Sequence, residues 1–175
     1  MPTISERFAE RRGEGRATLV PYVTSGFPSR SSTVDVLAGL AEAGGDVLEL
    51  GIPFSDPLAD GPTIQDSTFR ALEGGMTVEG TLDVLAEFRR VSDAPIVLFS
   101  YMNPLLRYGL EAFLKDATEA GAQGLLLTDV PTGSDLEIEA AILASPLDLI
   151  RLIAPTTHSD RVFGQISIAG ENAFS

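Results

Sequence analysis

A parallel α/β fold of the barrel type is what this sequence predicts, and three observations carry the prediction. Short apolar runs and amphipathic stretches alternate roughly every 25 residues, the rhythm of strands joined by right-handed helical crossovers. A weak internal repeat runs with it: Glu42, Ala43, Gly44 through Val47, Leu48, Glu49, Leu50 aligns with Glu119, Ala120, Gly121 through Gly124, Leu125, Leu126, Leu127. That alignment puts Glu49 and Leu126 in the same phase of their strands, both directed at the barrel axis. The turn after the first strand, Ser25, Gly26, Phe27, Pro28, has one glycine and a proline where a dinucleotide-binding sheet needs a glycine-rich loop. A Rossmann or flavodoxin-like sheet is therefore the second choice.

Element by element, Ile4 and Phe8 at helical spacing predict a short N-terminal helix that ends at Gly13 and Gly15 and plugs or flanks the core. Residues 19–24 read as the first strand, 31–43 as a helix with Val34, Leu37 and Leu40 on one side, and 47–51 as the second strand. A short helix over 66–72 precedes Gly74 and Gly75, and a longer amphipathic one covers 77–90. Pro95 opens a strand over 96–100, which Asn103 and Pro104 break before a helix at 108–120. A fourth strand at 124–127 is closed by Asp129 and Pro131, and a helix follows at 135–143. Residues 149–153 give a fifth strand, 159–169 a helix, and 173–175 the start of a sixth strand. All of this is expected to form one domain.

Composition narrows the function classes. Twenty-five acidic residues against twelve basic ones, a formal charge of −13, oppose binding to nucleic acid or an anionic membrane surface. Cysteine is absent and His158 is the single histidine, so neither thiolate nor histidine metal sites are expected. No segment approaches the roughly 18 apolar residues of a membrane span, and the N-terminus has no apolar signal core. The expectation is a cytoplasmic protein without metal.

The chemistry concentrates between Leu48 and Gln65. Glu49 sits inside Val47, Leu48, Leu50 and Ile52, a run that reads as a strand buried on both faces. Burial there penalises the charged carboxylate and raises its pKa toward the range where one group can take and give a proton. Asp60 falls in the following loop, between Pro53, Pro57, Gly61 and Pro62, at the strand end where parallel α/β proteins collect their sites. From spacing alone Glu49 is equally a buried carboxylate paired with an arginine or an amide, and Asp60 a turn residue or helix cap.

The run LELGIPFSDPLADGPTIQ resembles the signature of the tryptophan synthase alpha subunit family, and four further islands in order resemble its strand ends: Tyr22 to Pro28, Ser100 to Pro104, Thr128 to Pro131, and Ile153 to Thr156. The resemblance implies a (β/α)8 TIM barrel that splits indole-3-glycerol phosphate into indole and glyceraldehyde 3-phosphate, a retro-aldol lyase with no cofactor of its own. It makes Glu49 the proton shuttle and Asp60 the carboxylate beside the indole N–H. Tyr22, Phe99, Tyr101, Leu126 and Ile153 are then substrate-binding. Pro53, Asp56, Pro57 and Asn103 lie near a pyridoxal-phosphate-containing beta subunit, in an alpha2beta2 complex. Taken singly the islands have plainer readings: Tyr22 and Tyr101 as core aromatics, Asp129 as a turn residue before its proline, Ile153 as packing.

The sequence departs from that family in length. About 250 residues make a closed barrel, whereas residues 1–175 provide about five βα units and the start of a sixth strand. The expectation is an incomplete barrel, either part of a longer gene product or a truncated copy, without the later glycine-rich loops that hold phosphate. Alone it would leave open edges at the first and fifth strands and be marginal or prone to aggregate. Three functions compete: the lyase, a catalytically impaired alpha-like fragment that only binds or modulates a beta subunit, and a related phosphate-sugar barrel enzyme. Reading the encoding DNA past codon 175 separates the first two. A frame that continues for roughly another 80 to 100 residues with a glycine-rich phosphate loop favours the lyase, and an immediate stop favours the fragment.

Overall fold

The computed structural model describes residues 1–131, 133–153 and 157. The expected helix at 159–169 and the start of a sixth strand lie outside the described residues, as do Thr132 and residues 154–156.

Among the described residues the chain runs α1 (Ile4–Gly13), β1 (Tyr22–Thr24), α2 (Arg30–Glu42), β2 (Leu48–Gly51), α3 (Pro62–Glu73), α4 (Val78–Phe88), β3 (Ile96–Ser100), α5 (Met102–Tyr108), α6 (Leu110–Ala120), β4 (Gly124–Leu127), α7 (Leu136–Leu143) and β5 (Asp148–Ile150). The five strands form one parallel sheet in sequence order, β1-β2-β3-β4-β5, the arrangement of an incomplete β/α barrel. Register fixes the layers: Tyr22 pairs with Glu49, Glu49 with Val97, and Val97 with Gly124. One layer on, Gly51 pairs with Phe99, Phe99 with Leu126, and Leu126 with Ile150.

Strand alternation splits the apolar residues into two separate clusters. Leu48, Leu50, Ile96, Leu98, Leu125 and Leu127 pack with Leu37, Leu85, Phe88 and Phe113 of the helices. On the opposite, inner face Val47, Val97 and Leu126 cluster with Phe99 and Ile150, and Ile4 of α1 joins them. Glu49 and Leu126 share that inner face, as the internal repeat predicts. The same phase reaches Gly124 directly and Leu126 one layer later, because the register is staggered.

The N-terminal helix closes the end of the sheet where the strands begin. A capping box between Thr3 and Glu6 starts it, and Ile4 enters the inner cluster over Gly124. A Cβ at Gly124 would stand 2.9 Å from Ile4 Cδ1 and 3.2 Å from Val97 Cγ2. Two further contacts fasten α1: Arg11 Nε meets the buried Asp46 Oδ1 at 2.5 Å, and Gln123 Nε2 donates to the Pro2 carbonyl at 2.6 Å.

Several elements differ from expectation. Strand β1 starts at Tyr22 rather than Leu19, and β5 covers 148–150 rather than 149–153. Helix α3 begins at Pro62, four residues earlier than apolar periodicity shows, because proline at the first helical position needs no N–H partner. Strand β3 ends at Ser100 as expected, and Asn103 and Pro104 then lie in the first turn of α5, a helix the sequence pattern does not show, where a proline costs no helical hydrogen bond. Asp129 Oδ1 accepts the Met102 N–H at 2.9 Å, so the end of β4 caps that helix. The expected helix at 108–120 is divided at Gly109, whose φ of 98° is left-handed.

Adding a side chain at Gly124 tests the plug. Gly124→Ala is expected to cost about 1–3 kcal/mol, the range for overpacking a filled site, in urea denaturation. Pairing it with Ile4→Val should recover part of the loss. A Gly124→Ala protein as stable as the parent would show that α1 does not seat there.

Candidate active site

The site is built on β2 and the loop that follows. Leu48 and Leu50 are fully buried against the helices, while Glu49 between them faces inward and is only half-buried. The strand is thus sealed on its helix side and open at Glu49, not closed on both faces. Among the described residues the Glu49 carboxylate has no hydrogen-bond or ion-pair partner, and burial alone pushes its pKa above the ordinary value.

Asp60 is held from several sides. Its Oδ2 accepts the Tyr101 hydroxyl at 2.9 Å, its N–H donates to the Pro57 carbonyl at 3.1 Å, and its own carbonyl accepts Gln65 Nε2 at 2.9 Å. Gly61, the next residue, is the N-cap of α3. Burial raises the Asp60 pKa, and the hydroxyl of Tyr101 opposes that shift. Tyr101 also accepts the Ala59 N–H at 2.9 Å, and its ring, buried at 5% exposure, packs 5.3 Å from Phe54. Its observed contacts clamp the acid loop, a role that pattern reading does not reveal because 41 residues separate Tyr101 from Asp60.

Tyr22 stands beside Glu49 in register. Its ring lies over Gly51, where an added Cβ would overlap the hydroxyl oxygen, and meets Phe99 edge to face at 5.3 Å. Burial pushes its pKa up to about 12; Thr24 pulls it down, and Asp60, Glu49 and Tyr101 add to the rise. The same electrostatic field therefore joins Tyr22 to both carboxylates and to Tyr101.

The remaining expected residues fall differently. Phe99 is half-buried on the inner face, and Leu126, 2% exposed, forms its packed floor. Ile153 lies beyond β5 and is 49% exposed, whereas Ile150 takes the inner-face position on that strand. Pro53 and Pro57 are buried, Asp56 and Asn103 exposed. Leu58 is 93% exposed in the same loop and carries no sequence signal, being one apolar residue between Pro57 and Ala59. No group of three or more acidic, histidine or cysteine residues that could hold a metal ion occurs among the described residues. A cavity of about 230 Å³ lies away from the carboxylates, between β4, β5 and α7, beside the Glu139–Arg151 ion pair at 3.0 Å.

Comparison with known proteins places this geometry. A sequence model of the family described as tryptophan synthase alpha chain matches residues 8–171. The chain belongs to that family. It is 48% identical over 161 residues to the tryptophan synthase alpha chain of Phenylobacterium zucineum, covering 91% of this chain and 58% of that one. The alpha chain of Acidiphilium cryptum is 45% identical over 163 residues, covering 93% and 59%. The chain thus spans under two thirds of the length of these curated relatives. Among solved structures, subunit alpha of tryptophan synthase from Legionella pneumophila superposes with a TM-score of 0.88 at 36% identity, over 93% of this chain and 63% of that one. The aminoacrylate-bound tryptophan synthase of M. tuberculosis gives 0.87 at 35%, over 93% and 66%.

The unpaired carboxylate has a stability signature. Because the folded-state pKa of Glu49 lies above its unfolded value, its stabilising contribution is complete below the unfolded pKa and is lost as pH rises through the folded one. Glu49→Gln should therefore be more stable than the parent at neutral pH, with the gap closing as pH falls toward about 4.3. Thermal melts across that range check this, and equal stability at neutral pH would count against a raised pKa for Glu49.

Proposed function

We propose that the chain carries the lyase chemistry of its family, cleavage of indole-3-glycerol phosphate to indole and glyceraldehyde 3-phosphate, with Glu49 and Asp60 as the acting pair. The observation that carries this reading is an inward carboxylate without a partner among the described residues, and a second carboxylate that a tyrosine hydroxyl holds in place, both felt by the phenol of Tyr22. A carboxylate serving structure alone would be paired.

The residue types fit the reaction. Protonated Glu49 delivers its proton to C3 of the indole ring, leaving the ring nitrogen as a cationic N–H. Ionised Asp60 beside that nitrogen stabilises charge that develops only in the transition state. Glu49, now a carboxylate, takes the proton of the side-chain hydroxyl next to the ring. The carbon–carbon bond breaks, its electrons restore the neutral indole, and the hydroxyl carbon leaves as an aldehyde. Glu49 ends protonated, ready for another cycle. The edge-to-face pair Tyr22 and Phe99 offers the planar ring an apolar wall.

The loop after β2 is read as the docking surface for a beta subunit, in an alpha2beta2 assembly of the cytoplasm whose pyridoxal phosphate resides in the partner. Exposed Leu58, Asp56 and Asn103 support that reading, since a lone leucine 93% exposed on a proline-stiffened loop suits a partner's apolar pocket.

Two variants test the proposal. Glu49→Gln should lower kcat by about 10²–10⁴, the share of general acid–base catalysis, and leave beta-subunit binding intact; undiminished indole release would sink the assignment. Leu58→Asp should do the reverse, weakening subunit association about tenfold or more, as loss of an interface anchor does, while Glu49-dependent cleavage by the free subunit persists.

A further inference from the structure

Two buried hydroxyls behind the site have no evident packing purpose. Thr24 at the end of β1 and Ser67 in α3 are 4% and 8% exposed, and their oxygens lie 2.7 Å apart. Ser67 also donates to the Ile64 carbonyl of its own helix at 2.8 Å, the local bond a mid-helix serine makes without help from a strand. An apolar pair of the same shape would serve a strand–helix contact as well.

What distinguishes the pair is what each end holds. Thr24 Oγ1 reaches the Tyr22 hydroxyl at 3.4 Å, and Tyr22 is fixed over Gly51 next to Glu49. Ser67 belongs to the helix whose N-cap directly follows Asp60, and the first-turn Gln65 binds the Asp60 carbonyl. We propose that Thr24 and Ser67 are positioning residues that tie the strand carrying Tyr22 to the helix carrying the Asp60 loop, and so set the Tyr22 ring and the two carboxylates relative to one another. This rests on the lyase reading of the site. Tyr101 fixes Asp60 from the side of β3; the Thr24–Ser67 pair fixes the same assembly from the side of β1.

The test is a double-mutant cycle on indole-3-glycerol phosphate cleavage by the protein. Thr24→Val, nearly isosteric, should lower kcat about three- to tenfold, the equivalent of one neutral hydrogen bond, with KM changed by less than about twofold. Thr24→Ser, which keeps the hydroxyl, should restore kcat. In a Tyr22→Phe background Thr24→Val should cost far less, and Thr24→Val with Ser67→Ala should cost no more than the worse single change. Costs that multiply independently, or a serine no better than valine, would overturn the proposal. Absence of cleavage by the parent would remove the lyase reading and leave the positioning claim to a second measurement. The chain has three tyrosines and no tryptophan, so a ¹³Cζ-tyrosine label gives three signals. Thr24→Val and Ser67→Ala should each move that of Tyr22 and not that of Tyr108; an unmoved Tyr22 signal refutes the tie.

Discussion

Side-chain alternation along the four residues of β2 governs the whole site. It sends Leu48 and Leu50 into the helix layer, where both are fully buried, and leaves Glu49 facing inward. A slip of one residue would drive the carboxylate into the densest apolar layer and expose two leucines, so the folding free energy itself enforces the orientation. The chemistry is thereby secured by hydrophobic burial on the opposite face, and Glu49 needs no bond of its own to stay in place. That freedom suits the proton exchange proposed for it.

Asp60 is held by the opposite strategy. It sits on a loop, with no strand parity to fix it, and is surrounded by hydrogen bonds: Tyr101 on its carboxylate, Pro57 and Gln65 on its backbone, and the start of α3 directly after it. A carboxylate that stabilises charge is more useful the less it must reorganise when charge develops. The two acids thus differ in support, Glu49 held by strand parity without a bond to its carboxylate and Asp60 by hydrogen bonds on every side, a difference that fits the separate tasks proposed for them.

The fold was largely legible from periodicity. Strands β3 and β4 lie at the residues their apolar runs mark, because a parallel strand covered by helices must be continuously hydrophobic. Helix starts were less legible: α3 and α5 each begin with a proline or asparagine in the first turn, residues that pattern reading takes for breakers. Glu49 stood out as a charge in an apolar run. The clamp by Tyr101 and the Thr24–Ser67 contact did not, since each joins residues more than 40 positions apart and neither has a local signature. The apolar pattern runs on to Ile153, whereas the strand ends at Ile150; alternation does not show where a strand stops once its hydrogen bonds run out.

Gly51 carries a consequence for how this sequence can change. The space its missing side chain leaves is filled by the phenol of Tyr22, a residue of another strand and 29 positions earlier. Neither position can drift by itself: alanine at 51 meets the ring, and a smaller residue at 22 opens a void over the glycine. The two positions form one inherited unit. Among related chains, a residue with a side chain at 51 should be accompanied by a smaller one at 22, and a lineage passing between the two states must cross a less stable intermediate.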